Sequence, residues 1–247
     1  MSTENKFPSE IVDLPSKGLL YSEDSPLKSG TVEMKYMTAK EEDILTNQNY
    51  IEKGVVIDKL LQALIVTEGV DYNQLLIGDK NALLIAARIL GYGKDYEFNF
   101  GDTKETIDLT LLDSKKIDES LFSSGINEFK FTAPATNREL TFKLLSHGDE
   151  IKINQEVKGL QKINKEVSPE LSTRLKHMLL SVDGETDRNT VRKFVDNEFL
   201  AIDSRAFRKH IEKISPDMDL KFYPENGPAE GVSIPIGVTF LWPDADI

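Results

Sequence analysis

One segment of this chain occurs twice. Leu75 to Phe98 reads LLIGDKNALLIAARILGYGKDYEF, and Phe199 to Phe222, displaced by 124 positions, reads FLAIDSRAFRKHIEKISPDMDLKF. The two align without a gap. The identities are Leu76/Leu200, Asp79/Asp203, Ala82/Ala206, Asp95/Asp219 and Phe98/Phe222, and Leu83/Phe207, Leu90/Ile214 and Tyr96/Leu220 are apolar exchanges. Each copy sets out a cap, an apolar stripe, a helix stop, an acidic residue and a strand, in that order. Asp79 stands where an N-cap belongs, because a carboxylate accepts from the free N–H groups of a first helical turn. Ala82, Leu83, Ala86, Ala87 and Leu90 recur at helical spacing, Gly91 and Gly93 end the helix, and Tyr96, Phe98 and Phe100 alternate as in a strand. A unit stated twice predicts two related modules.

The length of 247 residues accommodates two such modules of ordinary domain size. No apolar run approaches the ~20 residues of a membrane span, and MSTENKFPSE lacks the basic and apolar regions of a secretory signal. There are 0 cysteines, which excludes disulfides, thiol nucleophiles and cysteine-ligated metals. The formal net charge of −12 disfavours nucleic acid, whose phosphates need lysine and arginine clusters. The densest basic run, Arg205 to His210, reads as a solvated helix face.

Taken in order, residues 1–30 read as an extended arm, with a Pro15–Gly18 turn followed by the apolar Leu19, Leu20 and Tyr21. Residues 31–125 form the first module. Thr31 to Thr38 alternates as a strand, and Thr38 to Glu41 is a capping box. A second helix spans Val56 to Val66, then comes the repeated helix, then a hairpin with GDTKE as its turn. Residues 126–247 form the second module. Glu139 to Leu145 is a strand, and Ser146 to Asp149 starts a helix. A further helix has Leu171, Leu175, Met178, Leu179 and Val182 on its apolar side. The repeated helix follows, and Val232 to Trp242 is the second arm of a closing hairpin. The expected fold is α+β, each module a strand, several helices and a terminal β-hairpin. With no Gly/Ser/Pro-rich spacer between them, the modules are expected to pack together.

Motifs of chemistry are missing. None of the 3 histidines falls in a metal-binding pattern, and no phosphate loop or nucleophile elbow occurs. His147 reads as a solvated residue in a strand-to-helix turn, with an acid/base pair to Asp149 as the alternative. Asp217-Met218-Asp219 reads as a turn, since the remaining ligands of a calcium loop are absent. No catalytic residue, metal or cofactor is expected. The candidate interface residues are Leu14, Leu19 and Tyr21 near the start and Phe240 and Trp242 near the end. Trp242 either folds back over the core or anchors a partner, a role for which Trp is favoured.

Several segments, in order, resemble a family of baseplate hub proteins of T-even-like contractile-tailed bacteriophages: LPSKGLLY, VEMKYMTAKEED, DKNALLIAARILGYGKDYEF, ELTFKLLSHGDE, DSRAFRKHI and IPIGVTFLWPD. The resemblance implies a non-catalytic hub subunit or hub assembly factor. Its implied partners are other baseplate or tail hub proteins or a second copy of the chain. The implied places are the host cytoplasm during assembly and the tail baseplate of the virion. It also implies hairpins of zinc-ribbon type with paired cysteines. Here those places read FNFGDTKETIDL and FYPENGPAEGVSI, so any ribbon is degenerate and no metal is expected. Two other functions fit the residues: an acidic chaperone-like factor for a basic tail protein, and a hydrolase using His147 and Asp149.

Overall fold

The computed structural model describes residues 8–164, 169–223, 231–236 and 238–241. The chain begins with an antiparallel pair, β1 (Ser9–Asp13) and β2 (Thr31–Lys35), in which Val12 faces Val32 and Glu10 faces Met34. Val32 and Met34 project to one face and are buried, as the two-residue period of a strand requires. The capping box of Thr38 and Glu41 forms as expected and starts α1 (Ala39–Leu45). Asn47 caps α2 (Gln48–Glu52). Then α3 (Val56–Leu64) buries Val56, Leu60, Leu61 and Leu64 along one stripe. After a 3-10 turn at Tyr72–Gln74 comes α4 (Ile77–Tyr92), followed by the hairpin of β3 (Asp95–Phe100) and β4 (Thr103–Asp108).

The second half repeats this order. An antiparallel pair, β5 (Phe129–Thr132) and β6 (Glu139–Phe142), leads through the capping box of Ser146 and Asp149 into α5 (His147–Ile163). Next come α6 (Glu170–Met178), β7 (Leu179–Val182), α7 (Arg188–Asn197) and α8 (Ala201–Ile214). A short pair, β8 (Lys221–Phe222) and β9 (Val232–Ser233), and the one-turn helix α9 (Val238–Leu241) close it. The fold is α+β. A single apolar cluster runs from Leu14 and Met34 through Leu83 and Phe142 to Phe207 and Phe240, so the two halves share their core.

The repeated aspartates do something other than cap. Leu76 and Leu200 occupy the N-cap positions, and Asp79 and Asp203 lie inside the first turns, both fully buried. Each carboxylate reaches out of its helix to hold the loop of the half's opening strand pair. Asp79 accepts from Ser16 N at 2.9 Å, Ser16 Oγ at 2.7 Å and Tyr21 Oη at 2.6 Å. Asp203 accepts from Ala135 N at 2.8 Å and Thr136 Oγ1 at 2.8 Å. In both halves one oxygen takes a backbone N–H just after a proline and the other takes hydroxyls. Burial pushes the Asp79 carboxyl above its ordinary range, while the Tyr21 and Ser16 donors pull it back down.

Four other expectations are corrected. The reading of a helix through Val66 overran, because Ile65 leaves α3 to bridge Met34 and Val66 N donates to Glu33 O at 2.9 Å. The same happens at Leu179 to Val182, which form β7 against β6. In both cases a bare strand edge offers partners that a further helical turn does not. The first terminal hairpin turns at Gly101-Asp102 and not across GDTKE, since Phe100 already pairs with Thr103. In the last one, among the described residues, Val232 and Ser233 pair with Phe222 and Lys221, Ile234 N donates to Leu220 O at 3.0 Å, and Val238 to Leu241 are helical.

The halves meet tightly. Ile77 N donates to Leu145 O, His147 N donates to Leu75 O, and Asn81 Nδ2 donates to Asp217 Oδ1. A Cβ on Gly78 would stand 1.9 Å from Pro216 O, so only glycine admits this approach. Phe98 and Phe222, which occupy the same place in the two repeats, pack edge to face at 5.4 Å.

Removing either buried carboxylate leaves N–H and hydroxyl donors unpaired in the interior. Asp79→Ala and Asp203→Ala are each expected to lower the unfolding free energy by roughly 2–4 kcal/mol, read from urea melts. The surface control Asp102→Asn is expected to stay within about 0.5 kcal/mol of the wild type. Losses of the control's size at both buried sites would show that the loops do not need these anchors.

Candidate partner-binding surface

Residues 8–30 of the segment read as an extended arm are built into the fold. Its residues 9–13 are β1, and Leu14 and Tyr21 are 2% and 5% exposed. They are therefore core residues and not the exposed apolar side chains of an arm. The cause is the turn at Ser16-Lys17-Gly18. Lys17 (φ 52°) and Gly18 (φ 73°) both adopt left-handed backbone, and this curls Ser16 and Tyr21 toward Asp79. A Cβ at Gly18 would fall 2.3 Å from Lys28 O, so the returning chain packs against the turn.

Leu19 alone of the three early candidates is partly exposed. Its carbonyl accepts from Gly125 N at 2.8 Å, and Lys17 is ion-paired with Glu119. These contacts lay the connection between the halves alongside residues 17–28. That connection exposes Leu121 and Ile126 at 49% and 50%. On its other side the same segment walls an open groove of about 710 Å³ with Leu20, Tyr21 and Ser22. Asn73, Lys143, Asp149, Lys152 and Gln155 make up much of the rest of the groove. The result is a half-apolar, half-polar face held on rigid elements.

At the other end, Phe240 is fully buried and packs edge to face on Tyr96 at 4.8 Å. Tyr96 Oη donates to Pro235 O at 2.9 Å. Phe240 thus seals the second half onto the hairpin of the first. Trp242 lies outside the described residues.

The proposed acid/base pair is not assembled. Asp149 accepts from Lys143 Nζ at 2.7 Å, Ser146 N at 3.1 Å and Ser146 Oγ at 3.1 Å. Burial opposes its ionisation, but Lys143 and Ser146 outweigh burial and hold the carboxyl below its ordinary range. His147 points the other way and is only 4% exposed, so the expectation of a solvated turn residue is also corrected. Its Nδ1 faces Lys80 Nζ at 3.2 Å, its Nε2 stands 3.6 Å from Asp58 Oδ2, and its ring packs on Tyr72 at 4.7 Å. Lys80 also binds Asp58 Oδ1 at 2.6 Å, and Tyr72 Oη donates to the same oxygen at 3.0 Å. An ammonium at Nδ1 requires that nitrogen to accept, which puts the ring proton on Nε2. Burial, then the Lys80 charge, lower the affinity of His147 for a second proton. The cluster therefore joins α3 and α4 to α5 as a network around a neutral histidine.

No local motif announces this cluster, because its members come from segments far apart in sequence. The only signal is His147 at the first position after a capping residue. Among the described residues no group of three or more His, Cys, Asp or Glu is placed to hold a metal, and no helix is long and apolar enough to cross a membrane. Comparisons with protein-family models, curated proteins and solved structures give no match.

A histidine whose folded-state proton affinity is depressed stabilises the fold fully above its unfolded pKa of about 6.5 and loses that contribution as pH falls below it. Urea midpoints are expected to fall between about pH 7 and pH 5. His147→Gln is expected to flatten that slope by up to about 1.4 kcal/mol per pH unit. His210 is lowered by burial too and keeps part of the slope. An unchanged slope in the variant would show that His147 is protonated in place without penalty.

Proposed function

We propose that this protein is a non-catalytic component of the tail baseplate hub of a contractile-tailed bacteriophage, acting as hub subunit or hub assembly factor through protein–protein contacts. The observation that carries the reading is the ordered series of segments resembling that family, from LPSKGLLY to IPIGVTFLWPD. The fold gives several of those segments a physical role. LPSKGLLY is the loop clasped by Asp79, DKNALLIAARILGYGKDYEF carries that clasp, and DSRAFRKHI carries the second one. A surface fixed by buried hydrogen bonds is preorganised, so less ordering entropy is lost when a partner docks on it. The groove beside residues 20–22 and the exposed Leu121 and Ile126 supply mixed apolar and polar contact area of the kind interfaces use. The Asp149 and His147 side chains, tied into ion pairs and burial, give no support to hydrolysis.

A second reading is favoured by the net charge of −12: a chaperone-like factor that holds a basic tail protein and then leaves. Quantitative mass spectrometry of purified tails and particles, set against the infected-cell lysate, separates a permanent hub subunit from a factor that leaves after assembly. The expected result is a fixed stoichiometry in the particle. Abundance in lysate with absence from particles would favour the transient factor, and a source with no tail or prophage would sink both.

A further inference from the structure

The exposed side of α8 carries a cation that the fold leaves available. Arg208 Nε makes one long contact, to Ser204 O at 3.4 Å, and no carboxylate among the described residues pairs with its guanidinium. The neighbouring Arg174, by contrast, is tied to both oxygens of Glu150. Arg188 is spent on the carbonyls of Leu179 and Lys176. Two hollows open on either side of Arg208, and it lines both. The inner one, about 240 Å³, lies where the halves join and is walled by Ile77, Leu145, Met178 and Ile211, with the ion-paired Arg174 and Asp217 also lining it. The outer one, about 380 Å³, lies between α6, α7 and α8 over Leu171, Val195 and Phe199. Leu171 is 47% exposed there.

We infer that this face binds an extended acidic segment of a partner protein, one carboxylate seated on Arg208 with an apolar side chain in each flanking hollow. Guanidinium donors match a carboxylate in two parallel hydrogen bonds, and apolar walls strengthen such a pair by excluding water. Against a net charge of −12 for the whole chain, α8 carries the densest basic run, Arg205 to His210, so an acidic segment meets complementary charge on this face. The hollows supply what the charge alone does not, namely apolar burial and a fixed spacing. The inference rests on the reading that the protein works through protein contacts, and it is independent of which assembly it joins.

The test is selection from a displayed library of random peptides on the purified full chain, in parallel with Arg208→Glu and Arg208→Gln. The expected result is enrichment of peptides with an Asp or Glu flanked by apolar residues on the wild type, lost on both variants. Fluorescence anisotropy of a selected peptide is expected to show at least about tenfold weaker binding to Arg208→Gln, and again when the peptide's own carboxylate is replaced by its amide. Leu171→Glu, at an exposed position, is expected to weaken the same peptide without moving the urea midpoint. No enrichment, the same peptides on Arg208→Glu, or selection of basic or purely apolar peptides would each overturn the inference. Absence of the protein from particles would remove the hub-subunit reading and leave this one standing.

Discussion

A buried aspartate in the first turn of a helix, turned outward to grip a loop, is the interaction on which each half depends. Without Asp79 the Ser16 amide and the Ser16 and Tyr21 hydroxyls lose their acceptor in a region closed to water. Burying a carboxylate is costly unless donors surround it, and the loop after β1 provides three. Tyr21 Oη in turn accepts from Leu76 N at 2.9 Å, which satisfies an N–H at the start of α4. The loop positions the helix and the helix holds the loop. Asp203 repeats the arrangement with Ala135 and Thr136, and this is why the aspartate recurs at the same place in the two repeated segments.

Once each half is clasped, the joint between them follows from what the clasps leave exposed. The start of α4 lies against the strand-to-helix turn before α5, through Leu76–Ser146 pairing and the His147 network. The connection from α8 to β8 closes over Gly78, with Asp217 bonded to Asn81. The terminal hairpin of the first half meets the closing segment of the second through Phe98–Phe222 and Tyr96–Phe240. Beside a smaller cluster of Leu145, Ile153, Val157 and Met178, apolar residues of both halves therefore close over one main core. The residues suspected of reaching outward, Leu14, Tyr21 and Phe240, are absorbed by it. Exposed surface remains at Leu19 with the connection between the halves, in the groove beside residues 20–22, and around Arg208.

The two capping boxes and the stripe of α3 were legible in the sequence because each is a local pattern set by helix geometry. The switch from α3 to Ile65 and from α6 to β7 was not. Val, Ile and Leu satisfy a helical period and a strand equally, and the deciding term was the unpaired edge of β2 or β6, which comes from elsewhere in the chain. The same holds for Asp79. Next to an apolar stripe it looks like a cap, and only the position of Ser16 and Tyr21 turns it into an anchor.

By itself, then, the sequence determined an α+β chain, free of cysteine and strongly acidic, since these follow from composition and short-range periodicity. The tertiary structure decided which polar residues are buried, which apolar ones are spent inside, and that His147 answers to Asp58 and Lys80 and not to Asp149. Those outcomes depend on which distant segments meet. Hydrogen-bond satisfaction in the interior is a property of such meetings, and no local spacing encodes it.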